Sequence, residues 1–363
     1  MNLRIPGPTP CPEATLQAMT RQMINHRGQD FATFLHDLTA RLKTLFQTKN
    51  DVFVLTASGT GGMEAAIVNT LSPGDRVLAV SNGYFGERFA DIAEVYGAQV
   101  ERLRFEWGQA ADPETVRQRL KAGPAFNAVL VTHNETSTGV TNDLAAIAAA
   151  VREFDSLLLV DAVSSLGCTE LATDAWGCDI VVTGSQKGLM TPPGLALVSV
   201  SPRAWQAHAQ ARTPRYYWDF GKCKSFLEKG QTPWTPGLST YYALAASVEL
   251  MVREGLPSIL ARHQRLASFT RQGVRGLGLD IFGEEAHASA AVTAVTAPPG
   301  LDVKKLLNIM RQEHDTVLAG GQQRLEGKIF RIGHLGWVQQ GEIEATLAAL
   351  KVALPQAGFV PVA

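Results

Sequence analysis

The amino-acid sequence predicts an α/β fold, in which a mostly parallel sheet lies between helices, followed by a smaller α+β domain. Between residues 51 and 200, short apolar runs alternate with helical stretches, which is typical of parallel strands covered by helices on both faces. After a long helical stretch near residue 240 this alternation ends. A chain of 363 residues is long enough for two domains, or for one large domain with a lobe.

The chain begins with a proline-rich segment, residues 1–12, which is predicted to be an extended arm. From Glu13 to about Gln47 the apolar periodicity predicts helix. The apolar stripe of this helix contains Phe31, Phe34, Leu35, Leu38, Leu42 and Leu45. Six apolar runs then predict strands, namely DVFVLT, RVLAVSN, NAVLVTH, SLLLVDA, DIVVTG and LALVSV.

The pattern changes after a long helix that is predicted in PWTPGLSTYYALAASVELMVREG. The segments AVTAVTAP, KKLLNIMRQEH and KIFRIGHLG indicate a smaller α+β lobe, which is closed by a helix in EIEATLAALKVAL. We therefore expect an N-terminal arm at residues 1–20, a large domain at 21–245 and a small C-terminal domain at 246–363.

Composition and charge argue against several classes of protein. Hydrophobic residues make up 45% and charged residues 18%, an ordinary globular mixture. The net charge of −1 gives no electrostatic reason to expect a nucleic acid or an anionic membrane as partner. The chain does not open with a signal-peptide pattern, and no apolar run approaches the ~18–20 residues that cross a bilayer. The cysteines, at 11, 168, 178 and 223, form no metal-ligand pattern, so we expect a soluble, cytoplasmic protein without a metal.

Polar residues follow four of the predicted strands, at the point where each strand ends. They are Ser58, Asn134, Asp161 and Lys187. In open α/β sheets, ligands bind beyond the carboxyl ends of the strands. These four residues therefore predict where the functional site lies.

Lys187 and Asp161 end two neighbouring apolar runs, DIVVTG and SLLLVDA. Apolar sequence on both sides encloses the lysine, which lowers its pKa and makes it nucleophilic; a solvated surface lysine is the alternative. For the aspartate, a capping or turn role is the alternative. An amine and a carboxylate together suit pyridoxal phosphate, because the amine forms a Schiff base with it and the carboxylate keeps its pyridine nitrogen protonated.

The turn in TASGTGGMEAAI lies between a strand and a helix and contains Ser58, Gly59 and Thr60. Small residues at a helix N-terminus bring amide N–H groups to an anion, so this turn is a candidate for the cofactor phosphate, with Gln186 supporting it. A tight turn without a ligand is the alternative. Phe85, in SNGYFGERFA, offers either an aromatic face for a flat ring or a core contact.

Further candidates lie outside these turns. Ser137, in VTHNETSTG, is a candidate to hydrogen-bond the cofactor ring, with a capping role as the alternative. Arg331, in KIFRIGHLG, suits forked recognition of a substrate carboxylate, or lies on a strand surface. Structural histidines are more common than catalytic ones, so we leave His26 and His133 out of the predicted catalytic set.

The order of these segments resembles that of the class V aminotransferases, and among them the alanine–glyoxylate and serine–pyruvate or serine–glyoxylate group. The segments are SGT, NGYFG, THNETSTG, VDAVSSLG, GSQKGLMTPPG, GQTPWTPGLS and FRIGHLG, and they extend over nearly the whole chain. The resemblance implies a mostly parallel, seven-stranded sheet of the aspartate-aminotransferase type. It also implies a homodimer whose active sites are shared between the subunits.

The resemblance implies roles for individual residues as well. The residues implied to contact the cofactor are Ser58, Gly59, Thr60, Phe85, Ser137, Asp161, Val163, Gln186, Lys187 and, from the neighbouring subunit, Thr235. Lys187 is implied to shuttle protons, Asp161 to bind the pyridine nitrogen, and Arg331 to bind the substrate α-carboxylate. We also expect Gly7 and Pro8 of the arm to limit the pocket to short side chains.

Two positions depart from the pattern of the family. Phe85 stands where relatives often have tryptophan, which keeps an aromatic face for stacking. Thr232 stands where a tyrosine commonly precedes the threonine that acts across the subunit interface. Whether Thr232 contacts the phosphate is therefore open.

We expect a ping-pong transamination between a small L-amino acid (alanine, serine or aspartate) and glyoxylate or pyruvate. An aminotransferase of 2-aminoethylphosphonate, of phosphoserine or of another class V substrate is the alternative. A cysteine desulfurase is disfavoured because no cysteine follows Cys223. A non-catalytic cofactor-binding subunit is disfavoured because Lys187, Asp161 and Arg331 are all present.

Overall fold

A computed structural model describes residues 1–359 of the chain. Its strands are β1 (Asn2–Leu3), β2 (Asp51–Thr56), β3 (Arg76–Ser81), β4 (Gln99–Arg104), β5 (Ala128–Thr132), β6 (Asn134–Glu135), β7 (Val140–Thr141), β8 (Leu157–Asp161), β9 (Ile180–Gly184), β10 (Leu195–Val200), β11 (Val292–Thr296), β12 (Thr316–Val317), β13 (Ala319–Gly320) and β14 (Ile329–Gly333). Its α-helices are α1 (Glu13–Ala18), α2 (Gln29–Phe46), α3 (Gly59–Thr70), α4 (Tyr84–Val95), α5 (Pro113–Lys121), α6 (Leu144–Arg152), α7 (Thr173–Trp176), α8 (Pro202–Gln210), α9 (Phe220–Leu227), α10 (Leu238–Glu254), α11 (Leu256–Gly276), α12 (Val303–His314) and α13 (Gln340–Gln356).

Seven strands form the central sheet, in the order β2-β10-β9-β8-β5-β3-β4. Strand β10 is antiparallel to both of its neighbours, while the other pairs are parallel. Every residue of β5, β8, β9 and β10 is buried, as expected for strands between two helix layers. The predicted α/β fold with a mostly parallel, seven-stranded sheet is confirmed.

The apolar side chains of the sheet point alternately to its two faces. On β3, Leu78 and Val80 belong to one core cluster, and Val77 and Ala79 belong to the other. The first cluster also contains residues of α2 and α10, and the second contains residues of α3 and α4. The two layers fix the strand ends, and therefore the site beyond them.

Two parts of the fold differ from the sequence-based expectation. The helix expected from Glu13 to Gln47 is interrupted at residues 19–28. There the side chain of Asn25 accepts a hydrogen bond from the Arg27 N–H at 3.0 Å, a local bond that competes with helix. Strand β4 has no apolar run because it is the edge of the sheet, and none of its residues is buried.

A second, three-stranded sheet has the order β11-β14-β13, with antiparallel pairs, and its core includes residues of α11, α12 and α13. The N-terminal arm reaches this region, since β1 pairs with β12. The expected domain boundary at residue 245 falls inside α10, so the division into 1–20, 21–245 and 246–363 stays a prediction. The last four residues of the expected small domain lie outside the described part of the chain.

Residues 1–359 contain neither a candidate membrane-spanning helix nor a candidate metal site. None of the helices there has the length and apolarity to cross a membrane. No group of three or more histidine, cysteine, aspartate or glutamate side chains in the same residues is arranged to hold a metal ion.

Candidate active site

A cavity of about 170 Å³ lies beyond the carboxyl ends of β2, β8 and β9. Eight of the twelve predicted site residues line it: Ser58, Gly59, Thr60, Phe85, Asp161, Val163, Gln186 and Lys187. The strands gather them because parallel strands deliver their carboxyl ends to one edge of a sheet. The other four, Gly7, Ser137, Thr235 and Arg331, are not part of the lining.

The surroundings of Lys187 make its side chain easier to deprotonate than an ordinary lysine. Its Nζ donates a hydrogen bond to the carbonyl oxygen of Pro6 at 2.6 Å. Burial, and to a smaller extent the positive charge of Arg331, lower the pKa of the lysine from 10.5 to about 8. A lysine with this pKa is a usable nucleophile and proton carrier near neutral pH.

Gly7 allows the N-terminal arm to lie against this lysine. A Cβ atom at residue 7 would lie 2.6 Å from Nζ and 2.7 Å from Cδ of Lys187. The residue also has a φ of +132°, which L side chains rarely adopt. The arm can therefore cover the lysine only with glycine at this position.

Asp161 is a buried carboxylate, 3% exposed, with unused hydrogen-bonding capacity. Its Oδ1 accepts one hydrogen bond, from the Val163 N–H at 2.9 Å, and Oδ2 accepts none from residues 1–359. Burial raises the pKa of Asp161 from 3.8 to about 6. A cationic N–H group placed at Oδ2 would lower the pKa of the carboxylate again and stabilise its charged form.

The N-terminus of α3 forms another part of the wall. Ser58 is the N-cap residue, and its side chain makes no hydrogen bond to the helix, so first-turn N–H groups are available to an anion. Gly59 is required for close packing, since a Cβ there would lie 2.7 Å from Cγ2 of Val163. The side-chain oxygen of Gln186 is buried and has no partner within residues 1–359. Such an atom is expected where a ligand completes the site.

Side chains from residues 134–138 hold the first turn of α4. Glu135 Oε2 accepts from the N–H groups of Phe85 and Gly86, each at 3.0 Å. Ser137 Oγ accepts from the N–H of Tyr84 at 3.0 Å and donates to Glu135 Oε1 at 2.6 Å. The hydroxyl of Ser137 is thus engaged behind the cavity wall, and its role toward the cofactor ring stays a prediction.

Arg331, on β14, is linked to the cavity through the backbone. Its Nη1 donates to the carbonyl oxygen of Thr136, a lining residue, at 3.0 Å and to Gln322 Oε1 at 3.1 Å. Its Nε donates to the Gly320 carbonyl oxygen at 3.0 Å. Nη2 makes no hydrogen bond within residues 1–359. Burial lowers the pKa of Arg331 to about 10, so it stays a cation with one end available to an anion.

Thr235 lies in a different cavity of about 40 Å³, together with Thr232 and Trp234. The hydroxyl of Thr232 donates to the carbonyl oxygen of Trp234 at 2.7 Å. Neither threonine lines the cavity that contains Lys187 of the same chain. The role of Thr235 across a subunit interface stays a prediction.

Sequence reasoning missed other residues of the site. The lining also contains Met63, Arg88, Thr136 and Ser164, besides Asn134, which was already among the four strand-end residues. Of these, Arg88 follows Phe85 by three residues, and this i,i+3 spacing on a helix was the signal that places both on one face. His133, which was left out of the predicted catalytic set, is fully buried, and burial lowers its pKa to about 4.

A family model and individual relatives place the chain in the same protein family. Residues 3–326 match the family described as aminotransferase class-V. The chain is 46% identical to the soluble hydrogenase 42 kDa subunit of Anabaena cylindrica, over 98% of this chain and 94% of that protein. It is 38% identical to the L-aspartate–glyoxylate aminotransferase of Paracoccus denitrificans, over 98% of this chain and 91% of that protein.

A solved structure gives the same result. The chain is similar to the alanine–glyoxylate aminotransferase from Nostoc sp., with a TM-score of 0.94, 32% identity, and coverage of 97% of this chain and 94% of that one. Enzymes of this family depend on pyridoxal 5′-phosphate, and the cavity fits that group: it combines an enclosed lysine, a carboxylate with a free oxygen and an uncapped helix N-terminus. The chain therefore belongs to the aminotransferase class-V family and is a pyridoxal-phosphate-dependent aminotransferase.

Proposed function

We propose that this enzyme transfers an amino group from a small L-amino acid (alanine, serine or aspartate) to glyoxylate or pyruvate by a ping-pong mechanism. The observation that carries the proposal is one cavity in which Lys187, with a pKa lowered to about 8, accompanies the buried carboxylate of Asp161. The named relatives that use glyoxylate support the choice of acceptor.

Lys187 and Asp161 divide the chemistry between them. Pyridoxal phosphate, when bound, supplies an electron sink for the pair of electrons left at the substrate α-carbon. Lys187 holds the cofactor covalently before the substrate arrives, and its released amine then moves the proton at the α-carbon. Asp161 keeps a positive charge at the ring nitrogen through its free Oδ2.

Other residues bind and orient. Ser58, Gly59, Thr60 and Gln186 are assigned to the phosphate, and Phe85 and Val163 to the two faces of the ring. Arg331 is assigned to the substrate α-carboxylate, because its Nη2 is the unengaged end of an otherwise fixed guanidinium. A fixed carboxylate orients the α C–H bond toward the lysine, an effect worth several kcal/mol in favourable cases.

The N-terminal arm is assigned a role in specificity. The Pro6 carbonyl oxygen and Gly7 lie against Lys187, so a substrate that displaces the lysine approaches a covered site. This cover favours amino acids with short side chains and excludes water. The choice among alanine, serine and aspartate is left to the experiment below.

A homodimer with shared active sites is part of the proposal. Thr235 lies in a separate cavity from Lys187 of its own chain, which supports a contribution to the site of a neighbouring subunit. We also propose a reducing, cytoplasmic setting, supported by four free cysteines.

The test is the absorbance of the purified holoenzyme as L-alanine, L-serine and L-aspartate are added separately, with Lys187→Ala as control. We expect one donor to remove the lysine-dependent visible band, and glyoxylate or pyruvate to restore it. A band that ignores all three amino acids would contradict the proposed substrates and point to the aminophosphonate alternative. A wild-type protein without any lysine-dependent band would contradict the role of Lys187.

A further inference from the structure

The cofactor phosphate brings two negative charges into a cavity with few cations. The turn before α3 contributes Ser58, Gly59 and Thr60, none of which is charged. Of the described residues that line the cavity, only Lys187 and Arg88 are basic. Since Lys187 is needed at the reacting carbon, the lining has one cation left for the phosphate.

Arg88 is fixed in place between two helices. Its guanidinium carbon lies 4.9 Å from the ring centre of Tyr84 and 5.0 Å from that of Phe85. Nη1 donates to Thr60 Oγ1 at 3.4 Å, and Nη2 donates to the Tyr84 hydroxyl at 3.1 Å. The guanidinium therefore bridges the start of α4 and the uncapped N-terminus of α3.

The charge of Arg88 is not neutralised by the protein. Within residues 1–359, both hydrogen-bond partners of its guanidinium are hydroxyls rather than carboxylates. Its field reaches the centre of the cavity, because it lowers the pKa values of both Asp161 and Lys187. A half-buried cation that touches only neutral groups has unused capacity for an anion.

We propose that Arg88 is a cofactor-binding residue that supplies the positive charge for the phosphate, next to Thr60 at the N-terminus of α3. The inference rests on the proposed orientation of the cofactor, with its phosphate at Ser58, Gly59 and Thr60. The competing explanation is purely structural, namely that Arg88 stacks on Tyr84 and Phe85 to stabilise α4.

Pyridoxal separates these explanations because it lacks the phosphate. The dissociation constants of the full-length apoprotein for pyridoxal phosphate and for pyridoxal are measured by quenching of tryptophan fluorescence. The variants are Arg88→Gln and Arg88→Lys, and the matched control is Arg253→Gln, an exposed arginine of α10 that pairs with Glu249. Thermal unfolding of each apoprotein accompanies the binding measurements.

We expect Arg88→Gln to weaken the binding of pyridoxal phosphate by about 10- to 100-fold, the range for a lost charged hydrogen bond. Pyridoxal affinity is expected to change by less than about threefold, because its contacts do not include the phosphate. Arg88→Lys keeps the positive charge but loses the paired N–H groups of the guanidinium. Its affinity for pyridoxal phosphate is therefore expected to lie between those of the wild type and Arg88→Gln. Arg253→Gln leaves both constants unchanged.

If Arg88→Gln weakens the binding of pyridoxal phosphate and of pyridoxal equally, or weakens the binding of neither, the proposal is overturned. If Arg88→Gln does not fold, Arg88→Lys decides: an unchanged ratio of the two constants overturns the assignment, and a reduced preference for the phosphate form supports it. The outcome is separate from the proposed transamination. If the wild-type holoenzyme reacts with none of the amino acids but Arg88→Gln loses its preference for pyridoxal phosphate over pyridoxal, the proposed substrates are wrong and the role of Arg88 is supported.

Discussion

The buried carboxylate of Asp161 lines the cavity and that of Glu135 does not, and the protein satisfies the two in different ways. Glu135 and Asp161 are both almost fully buried, and burial raises the pKa of each. Glu135 accepts four hydrogen bonds, from the N–H groups of Phe85, Gly86 and Ser137 and from the Ser137 hydroxyl. Asp161 accepts one, from the Val163 N–H.

The difference indicates that Glu135 has a structural role and that Asp161 has a role in cofactor binding. The oxygens of Glu135 are engaged with the first turn of α4 and with Ser137, so they have little capacity for a ligand. Asp161 has a free oxygen at the cavity, and the single hydrogen bond from Val163 offsets only part of the cost of its burial. We infer that Asp161 is completed by the cofactor, whereas Glu135 positions the helix that carries Phe85 and Arg88.

The largest expected effect is on turnover in Asp161→Asn. Asparagine keeps the bond from Val163 but cannot hold a positive charge at the ring nitrogen, so kcat is expected to fall by about 10³-fold or more. Because the pKa of Asp161 is raised above 3.8, ionisation in the folded apoprotein lowers stability as the pH rises toward 6. Above pH 6 the variant apoprotein is therefore expected to be more stable by about 1–3 kcal/mol. A large loss of stability of Asp161→Asn in denaturant titrations would show that Asp161 has a structural role like that of Glu135.

Glu135→Gln is expected to show the opposite combination. The amide NH₂ would face N–H donors of α4 or Ser137, so buried donors lose their acceptor. We expect the free energy of unfolding of the apoprotein to fall by about 2–4 kcal/mol. Steady-state kinetics are expected to show a loss of kcat smaller than that of Asp161→Asn. If Glu135→Gln loses turnover as severely while keeping its stability, Glu135 belongs to the chemistry instead.

Much of this comparison was accessible from the sequence. The alternation of apolar runs predicts the buried strands, and their ends place Asp161 and Lys187 at one edge of the sheet. Glu135 was visible only as a member of the run NETSTG, because its four partners include backbone groups of α4, about 50 residues away along the chain. Contacts of this kind are made by tertiary packing and leave no local periodicity.

Other differences have equally specific causes. Strand β4 escapes prediction because an edge strand is not forced to be apolar. The break before α2 depends on the side-chain bond of Asn25, which competes with a helical pattern that reads as continuous. The contact of Gly7 with Lys187 joins residues 180 positions apart, and tertiary contacts of the arm, such as the hydrogen bond from the Thr9 N–H to the Gln186 carbonyl oxygen at 3.1 Å, hold it in place.

The pH dependence of cofactor attachment is expected to follow Lys187. Attachment requires the neutral amine, and burial places its pKa at about 8. The rate of reconstitution of the apoprotein is therefore expected to rise about tenfold between pH 7 and 9 and then level off. Since the unfolded chain keeps this proton up to about 10.5, the contribution of Lys187 to apoprotein stability rises with pH between 8 and 10.5. Stopped-flow absorbance measures the rate, and a rise that continues beyond pH 10 would show an unshifted lysine.

The smallest expected effect is that of Ser137→Ala, which sharpens the assignment of Glu135. The substitution removes two bonds of the hydroxyl, to Glu135 and from the Tyr84 N–H, and is expected to cost about 1–2 kcal/mol of stability. In a double-mutant cycle with Glu135→Gln, the effects are expected to be non-additive, since the two side chains share one network. Strict additivity in urea titrations would contradict the coupling.

We infer above all that the cofactor completes the free oxygen of Asp161. The most direct measurement is a carbon-13 NMR titration of the side-chain carboxyl of Asp161, with Asp161→Asn identifying the signal, in the apoprotein and in the holoenzyme. The apoprotein is predicted to titrate with a pKa of about 6. In the holoenzyme a neighbouring pyridinium is predicted to move this pKa well below the apoprotein value. The same pKa in both forms would show that the carboxylate does not pair with the cofactor.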